Sequence, residues 1–174
     1  MPYAYLVFGP EGSATRLTTR ILISSGCQGG GDNWQPWDME GDWHWFKPPE
    51  DKSLSLVWRR SFPHDGHWCN PRRLCRIVEG AGWMPYVVVC VRHGQAIARS
   101  RVDRFHHAAN VGFEYERILQ PILGTEVPWV FAVYESFVLG GKPAVDEFTR
   151  SLGLPGTSDL EHINDENEKY WVDA

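Results

Sequence analysis

Two hydrophobic periods alternate along the chain, which predicts strands that alternate with helices. Residues 3–8 are apolar and rich in β-formers, whereas residues 13–25 carry apolar side chains at helical spacing and are followed by Gly26. The continuous apolar run over 86–91 is typical of a central parallel strand that is covered on both faces. The pattern therefore predicts a strand, a loop and a helix at the beginning of the chain, and a core strand in its middle.

The same alternation continues outside these segments. We expect a strand at 53–58, a helix from Asn70-Pro71 to Gly80 or Gly82, helices at about 94–105 and 110–123, a strand at 129–134 and a helix at about 142–152. Such an order implies right-handed crossovers, and it predicts a three-layer α/β/α fold around a central, mainly parallel sheet. A chain of 174 residues fits one domain over 1–174 and buries roughly 70% of its unfolded surface.

Two segments lack any such period. Residues 27–53 contain the aromatic side chains Trp34, Trp37, Trp43, Trp45 and Phe46 and predict a long aromatic loop or lid. The loop could wall an acceptor site, cover a nucleotide or anchor itself in the core, and a loop of that length is often functional. Residues 156–174 form an acidic C-terminal tail.

The distribution of charge along the chain says more about function than the overall composition does. The net charge of −5 argues against a general nucleic-acid binder. Nine of the thirteen arginines nevertheless lie between Arg59 and Arg104, a density that suits a focused anion site, although single arginines are as often solvated surface charges.

The chain begins without a basic, apolar leader and contains no run of about 20 apolar residues, so we expect a cytoplasmic protein without a membrane partner. The four cysteines have no CxxC spacing, which favours buried or free thiols over disulfides.

The first loop is the leading candidate for chemistry. Gly9-Pro-Glu-Gly-Ser-Ala-Thr-Arg16 joins the first strand to the first helix, where ligands of parallel sheets bind. Glycines allow the backbone to turn inward, the helix dipole favours an anion, and Ser13 and Thr15 offer hydroxyl donors. The loop lacks the G-K-[ST] ending of a Walker A motif, and an ordinary capped turn is the alternative.

A second candidate follows the core strand. Arg92 stands at the carboxyl end of that strand, and Ser100 lies eight residues later, about two turns along the next helix. Both side chains could face one phosphate. A helix cap with an unrelated serine is the alternative.

These segments resemble the P-loop sulfotransferases, which use 3′-phosphoadenosine 5′-phosphosulfate (PAPS) and release adenosine 3′,5′-bisphosphate (PAP). The family loop has forms such as G-x-x-K-x-G-T-R, and its 3′-phosphate site is an arginine with a serine eight positions on. Val133–Phe137 and Leu152-Gly-Leu-Pro155 are similar to further family segments. The resemblance implies a P-loop nucleotide-binding fold, and it implies cofactor contacts at Gly9, Pro10, Gly12, Ser13, Ala14, Thr15, Arg16, Arg92 and Ser100.

The resemblance also implies an activity, namely transfer of a sulfuryl group to a hydroxyl or amine of a small-molecule or carbohydrate acceptor. Two residues depart from the family pattern: Gly12 replaces the lysine that bridges the leaving phosphate and the sulfuryl group, and Ala14 replaces a glycine. Transfer needs a cation at that oxygen, so Arg16 and Arg20 are the candidates that could replace the lysine.

A catalytic base is also needed near the acceptor. In the family's cytosolic branch a histidine ends the second strand, and here Ser61 aligns with it. His64 and His67 follow and are the candidate bases, with Asp65 as a carboxylate alternative. These histidines with Cys69 and Cys75 match no familiar zinc spacing, so we expect no metal.

Two other functions stay open. A kinase-like enzyme with an atypical phosphate loop predicts magnesium-dependent nucleotide binding. A non-catalytic nucleotide-binding module that has lost its lysine predicts binding without transfer.

Overall fold

A computed structural model of the chain describes residues 1–29, 52–63, 68, 70–106, 108, 110–157 and 163. Within these residues the strands β1 to β4 form one sheet in the order β2-β1-β3-β4, and every neighbouring pair is parallel. The strands are β1 Tyr3–Pro10, β2 Leu56–Phe62, β3 Met84–Val91 and β4 Trp129–Val133. The helices are α1 Thr15–Ser24, α2 Pro71–Gly80, α3 Gly94–Phe105, α4 Val111–Leu119 and α5 Tyr134–Ser151.

Alternating side chains of the sheet supply two hydrophobic cores, one on each face. Tyr5 and Val7 pack with α1 and α5, whereas Leu6 and Phe8 pack with α2 and α4. Each fully buried side chain of this size contributes about 1.5–3 kcal/mol relative to exposure. The predicted three-layer α/β/α architecture with a parallel sheet is confirmed.

Local signals located some helix ends well and others poorly. Asn70 caps α2 as expected, because its side chain accepts hydrogen bonds from the backbone N–H groups of Arg72 at 3.0 Å and Arg73 at 3.4 Å. The prediction for α5 covered only its second part. Helix α5 begins at Tyr134 and is interrupted at Gly141, whose φ is 54°. The predicted helix at about 142–152 matches the part after this kink, whereas the part before it was not predicted.

The second strand also differs from its prediction, since β2 begins at Leu56 and continues to Phe62 rather than ending before the arginines. Arg59 and Arg60 belong to the strand because β1 pairs with this whole segment, up to the pair Pro10–Phe62. Tertiary pairing thus overrides the polar character of these residues.

The strand order places the first loop beside the end of β3. From β1 the chain crosses to β2 on one side, and it then returns past β1 to β3 and β4. The order therefore reverses between β1 and β3, which is where ligands of open parallel sheets bind. Loop residues after β1 and Arg92 after β3 lie at this switch point.

Several predicted features fall largely outside the described residues. Gln28 forms an isolated parallel bridge with Leu56, and Thr157 donates a backbone hydrogen bond of 3.0 Å to Asp146. The remainder of the aromatic loop after Gly29 and most of the acidic tail are not described. Across the described ranges, no helix combines the length and the hydropathy needed to span a membrane.

Candidate functional site

The loop between β1 and α1 is a tight turn with two residues in the left-handed region. Its turn is closed by a 3.0 Å hydrogen bond from the Ser13 N–H to the Pro10 carbonyl. Gly12 has φ 88°, and Ala14, which precedes α1, has φ 69°. Because alanine has no side-chain acceptor, it cannot cap the N–H groups in the first turn of α1. Backbone N–H groups at the N-terminus of a helix can donate hydrogen bonds to an anion, which the helix dipole also favours.

Glycine is required at position 9 by close packing. A Cβ atom there would lie 2.2 Å from Ser13 Oγ and 3.0 Å from the Cys90 carbonyl oxygen. At Gly12 the constraint is conformational, since a Cβ would meet Ser100 Oγ at an acceptable 3.5 Å but would need a left-handed backbone. In this loop conformation, a lysine at position 12 is disfavoured by the backbone rather than by space.

Arg92 joins the end of β3 to this loop. Its side chain is 7% exposed, and its Nη1 donates a 3.0 Å hydrogen bond to the Gly12 carbonyl. The guanidinium carbon lies 4.7 Å from the centre of the Tyr134 ring. The Arg92 N–H donates to Tyr115 Oη, which in turn donates to the Cys90 carbonyl. These contacts hold Arg92 against the loop.

Ser100 approaches the same loop from α3. Its residue is 1% exposed, and its Oγ is the nearest atom to the Cβ position of Gly12. The hydroxyl groups of Ser13 and Ser100 are buried, and neither makes a hydrogen bond in the part of the chain that the structure describes. A buried hydroxyl without a partner is uncommon in proteins and often marks the place of a water or ligand.

A second group of residues meets where β2 ends beside α1. Thr15 Oγ1 and Ser61 Oγ share a hydrogen bond of 2.9 Å. Burial, and then the positive charge of the nearby Arg16, lower the pKa of Arg59 below its usual value. Over the described ranges, no carboxylate forms an ion pair with Arg16 or Arg59.

Sequence reasoning missed Arg59. It singled out Arg16 and Arg20 because both lie on the first helix, whereas Arg59 belongs to a strand 43 positions after Arg16. The available signal was the strand period, because Arg59 and Ser61 are two residues apart and therefore lie on the same face of β2. That face is the one that α1 covers.

The Val133–Phe137 segment, first noted only for its family likeness, also reaches the site. Tyr134 is 3% exposed and lies under the Arg92 guanidinium, while a Glu135 side-chain oxygen accepts a 2.8 Å hydrogen bond from the His93 N–H. The beginning of α5 thus holds the segment that follows β3.

The candidate bases His64 and His67, together with Asp65 and Cys69, lie outside the described residues. Among the residues that are described, no three histidine, cysteine, aspartate or glutamate side chains are arranged to hold a metal ion.

Burial raises the thiol pKa of Cys75 to about 11 and those of Cys27 and Cys90 to about 12. These three free cysteines are thus poor ligands and nucleophiles near neutral pH.

The site consequently gathers an uncapped helix end, two buried hydroxyls and a buried arginine at the switch point, with two further arginines, Arg16 of α1 and Arg59 of β2. This arrangement can bind an anion with several oxygen atoms. Comparison of the chain with protein-family models, curated proteins and solved structures found no match.

The left-handed conformation of Ala14 predicts a measurable effect on stability. An L-residue in this region costs about 1–2 kcal/mol, so Ala14→Gly is expected to stabilise the fold by about 0.5–1 kcal/mol after the greater chain entropy of glycine is subtracted. Ala98→Gly, inside α3, serves as the matched control and should destabilise by about 1 kcal/mol. Urea unfolding measures both, and a destabilised Ala14→Gly variant would contradict the observed loop conformation.

Proposed function

We propose that this chain binds PAP and PAPS at the loop over Gly9–Arg16 and acts as a sulfotransferase-like enzyme. One observation carries the proposal, namely the 3.0 Å contact between Arg92 Nη1 and the Gly12 carbonyl, with Ser100 Oγ close to the same residue. It supports the proposal because the residues that resemble the family's two phosphate sites are separate in sequence and adjacent in space.

Each residue then has a defined role. The first turn of α1, with Ser13 and Thr15, holds the 5′-phosphosulfate through N–H and hydroxyl donors. Arg92 and Ser100 hold the 3′-phosphate, for which a guanidinium offers a matching fork of donors. Since Arg92 also donates to the loop, occupation of one phosphate site is linked to the shape of the other.

Arg16 and Arg59 supply the positive charge that a lysine at position 12 would provide. Burial and the charge of Arg16 lower the pKa of Arg59, so an anion between the two guanidinium groups offsets their repulsion. The negative charge at the bridging oxygen grows as the sulfuryl group leaves, which increases this stabilisation. The acceptor oxygen or nitrogen attacks sulfur, the bond from sulfur to the phosphate oxygen breaks, and PAP departs. His64 or His67 takes the acceptor proton.

The conformation of Gly12 favours a second candidate, a module that binds nucleotide without transfer. Its φ of 88° disfavours a lysine, and the lysines in the described ranges lie elsewhere, Lys52 beside Gly82 and Lys142 paired with Asp146. Under this alternative PAP still binds, but PAPS is not consumed. A transfer assay separates the two functions.

Calorimetric titration of the full chain with PAP, compared with ATP plus Mg²⁺, tests the ligand class. We expect PAP to bind at least about tenfold more tightly, because a 3′-phosphate adds charge-assisted hydrogen bonds worth about 1.5–3 kcal/mol. Tighter, magnesium-dependent ATP binding would instead support the kinase-like alternative and overturn the proposal.

Substitution of Arg92 tests the 3′-phosphate site. Arg92→Ala is expected to weaken PAP binding by about 10–100-fold, whereas its effect on adenosine 5′-phosphate should be smaller because that ligand lacks the 3′-phosphate. Arg104→Ala removes an exposed arginine from the same helix as Ser100 and controls for net charge. Equal losses for both nucleotides would show that Arg92 acts only through the loop.

Substitution of Arg59 tests the source of the missing cation. Arg59→Gln is expected to slow PAPS-dependent PAP release by about 10–100-fold, with a phenol and an amino sugar as acceptors, because it removes charge stabilisation of the leaving oxygen. PAP affinity should change much less. The control is Arg76→Gln, an exposed arginine on α2. An unchanged rate, with PAPS turnover intact, would remove Arg59 from the reaction.

A further inference from the structure

A buried group of three charges lies directly behind the anion loop. Arg101 of α3 is 3% exposed and pairs closely with Glu114 of α4 through its Nη1. Its Nη2 lies 3.9 Å from an oxygen of Glu11, which is a residue of the loop itself. The side chains of both glutamates are less than one-tenth exposed. The loop is therefore connected through Arg101 to two helices.

Glu11 is unexpected in a loop that binds an anion. A carboxylate so close to the ligand repels it, and this repulsion is stronger in a buried position than in water. Glu11 is also unnecessary for neutralising Arg101, because Glu114 already pairs with that guanidinium. The contact between Glu11 and Arg101 attaches the loop to α3.

The loop is attached to neighbouring elements at two consecutive residues. Glu11 faces Arg101, and the carbonyl of Gly12 accepts from Arg92. The next residues include Ala14, which occupies a strained left-handed conformation. Strained conformations persist where the surrounding contacts specify them. Two attachments before Ala14 meet that requirement.

We propose that Glu11 is a positioning residue: through Arg101, which Glu114 orients, it holds the loop in the shape that binds phosphate before the ligand arrives. Ordering the loop in advance lowers the entropy cost of binding, and this gain exceeds the repulsion from the carboxylate. The inference rests on the proposed function, because it assigns the loop's ligand as a phosphate of PAP.

Loss of the loop's attachment and loss of the carboxylate's repulsion change PAP affinity in opposite directions, so one substitution distinguishes them. Glu11→Ala leaves the Arg101–Glu114 pair in place, so the variant is expected to fold, and its PAP affinity is expected to fall about tenfold as the loop loses its attachment. Simple charge repulsion predicts the reverse, a tighter complex. Glu79→Ala, which removes an exposed glutamate from α2 and changes the net charge equally, should leave the affinity unchanged.

Hydrogen exchange of the backbone amides at residues 11–16, measured without ligand, provides the second readout. We expect about tenfold faster exchange in Glu11→Ala and a smaller increase in Glu11→Gln, which keeps an oxygen acceptor for Arg101. Unchanged exchange, or PAP binding as tight as in the original chain, would overturn the positioning role. If the original chain does not bind PAP, the proposed function fails, while the exchange rates still decide whether Glu11 orders the loop.

Discussion

The close contact of β1 with β3 at Gly9 is the constraint on which the site depends. The two strands pair in parallel from Tyr3 to Phe8, so their carboxyl ends finish side by side. At Gly9 the backbone then comes so near to the Cys90 carbonyl that a Cβ would lie 3.0 Å from that oxygen. Glycine fits this approach without displacing its neighbours, and the approach brings the loop against the residues that follow β3.

Two buried arginines contact the loop from the elements that lie behind it. Arg92 and Arg101 come from the end of β3 and from α3, and each directs its guanidinium toward the loop, one to a carbonyl and the other to Glu11. Buried arginines need partners because the interior solvates charge poorly, so their partners become fixed in position. The loop is thus held by the hydrogen bond from Arg92 and the ion pair with Arg101, which these buried side chains need as partners.

The resemblance to P-loop sulfotransferases comes from short motifs, whereas the structure shows only where those motifs lie. The structure shows a parallel sheet, a loop at its switch point, and Arg92 and Ser100 close to Gly12. The cofactor and the reaction are proposals that rest on these motifs and on their placement. The fold is inferred from the sheet and its helices, whereas the function is inferred from the residues of the site.

Much of the fold was determined by the sequence itself. Apolar runs located β1 and β3, and Asn70-Pro71 located the beginning of α2, because period and capping are local properties. The helical part over 134–140 escaped prediction because Gly140, Gly141 and Pro143 interrupt the helical pattern of the sequence. Only tertiary structure decided that β2 extends through Arg59, which places that arginine beside Arg16, and that Glu11 meets Arg101. Such contacts join residues separated by about 40 to 90 positions, and no local pattern encodes them because they depend on strand order and helix packing.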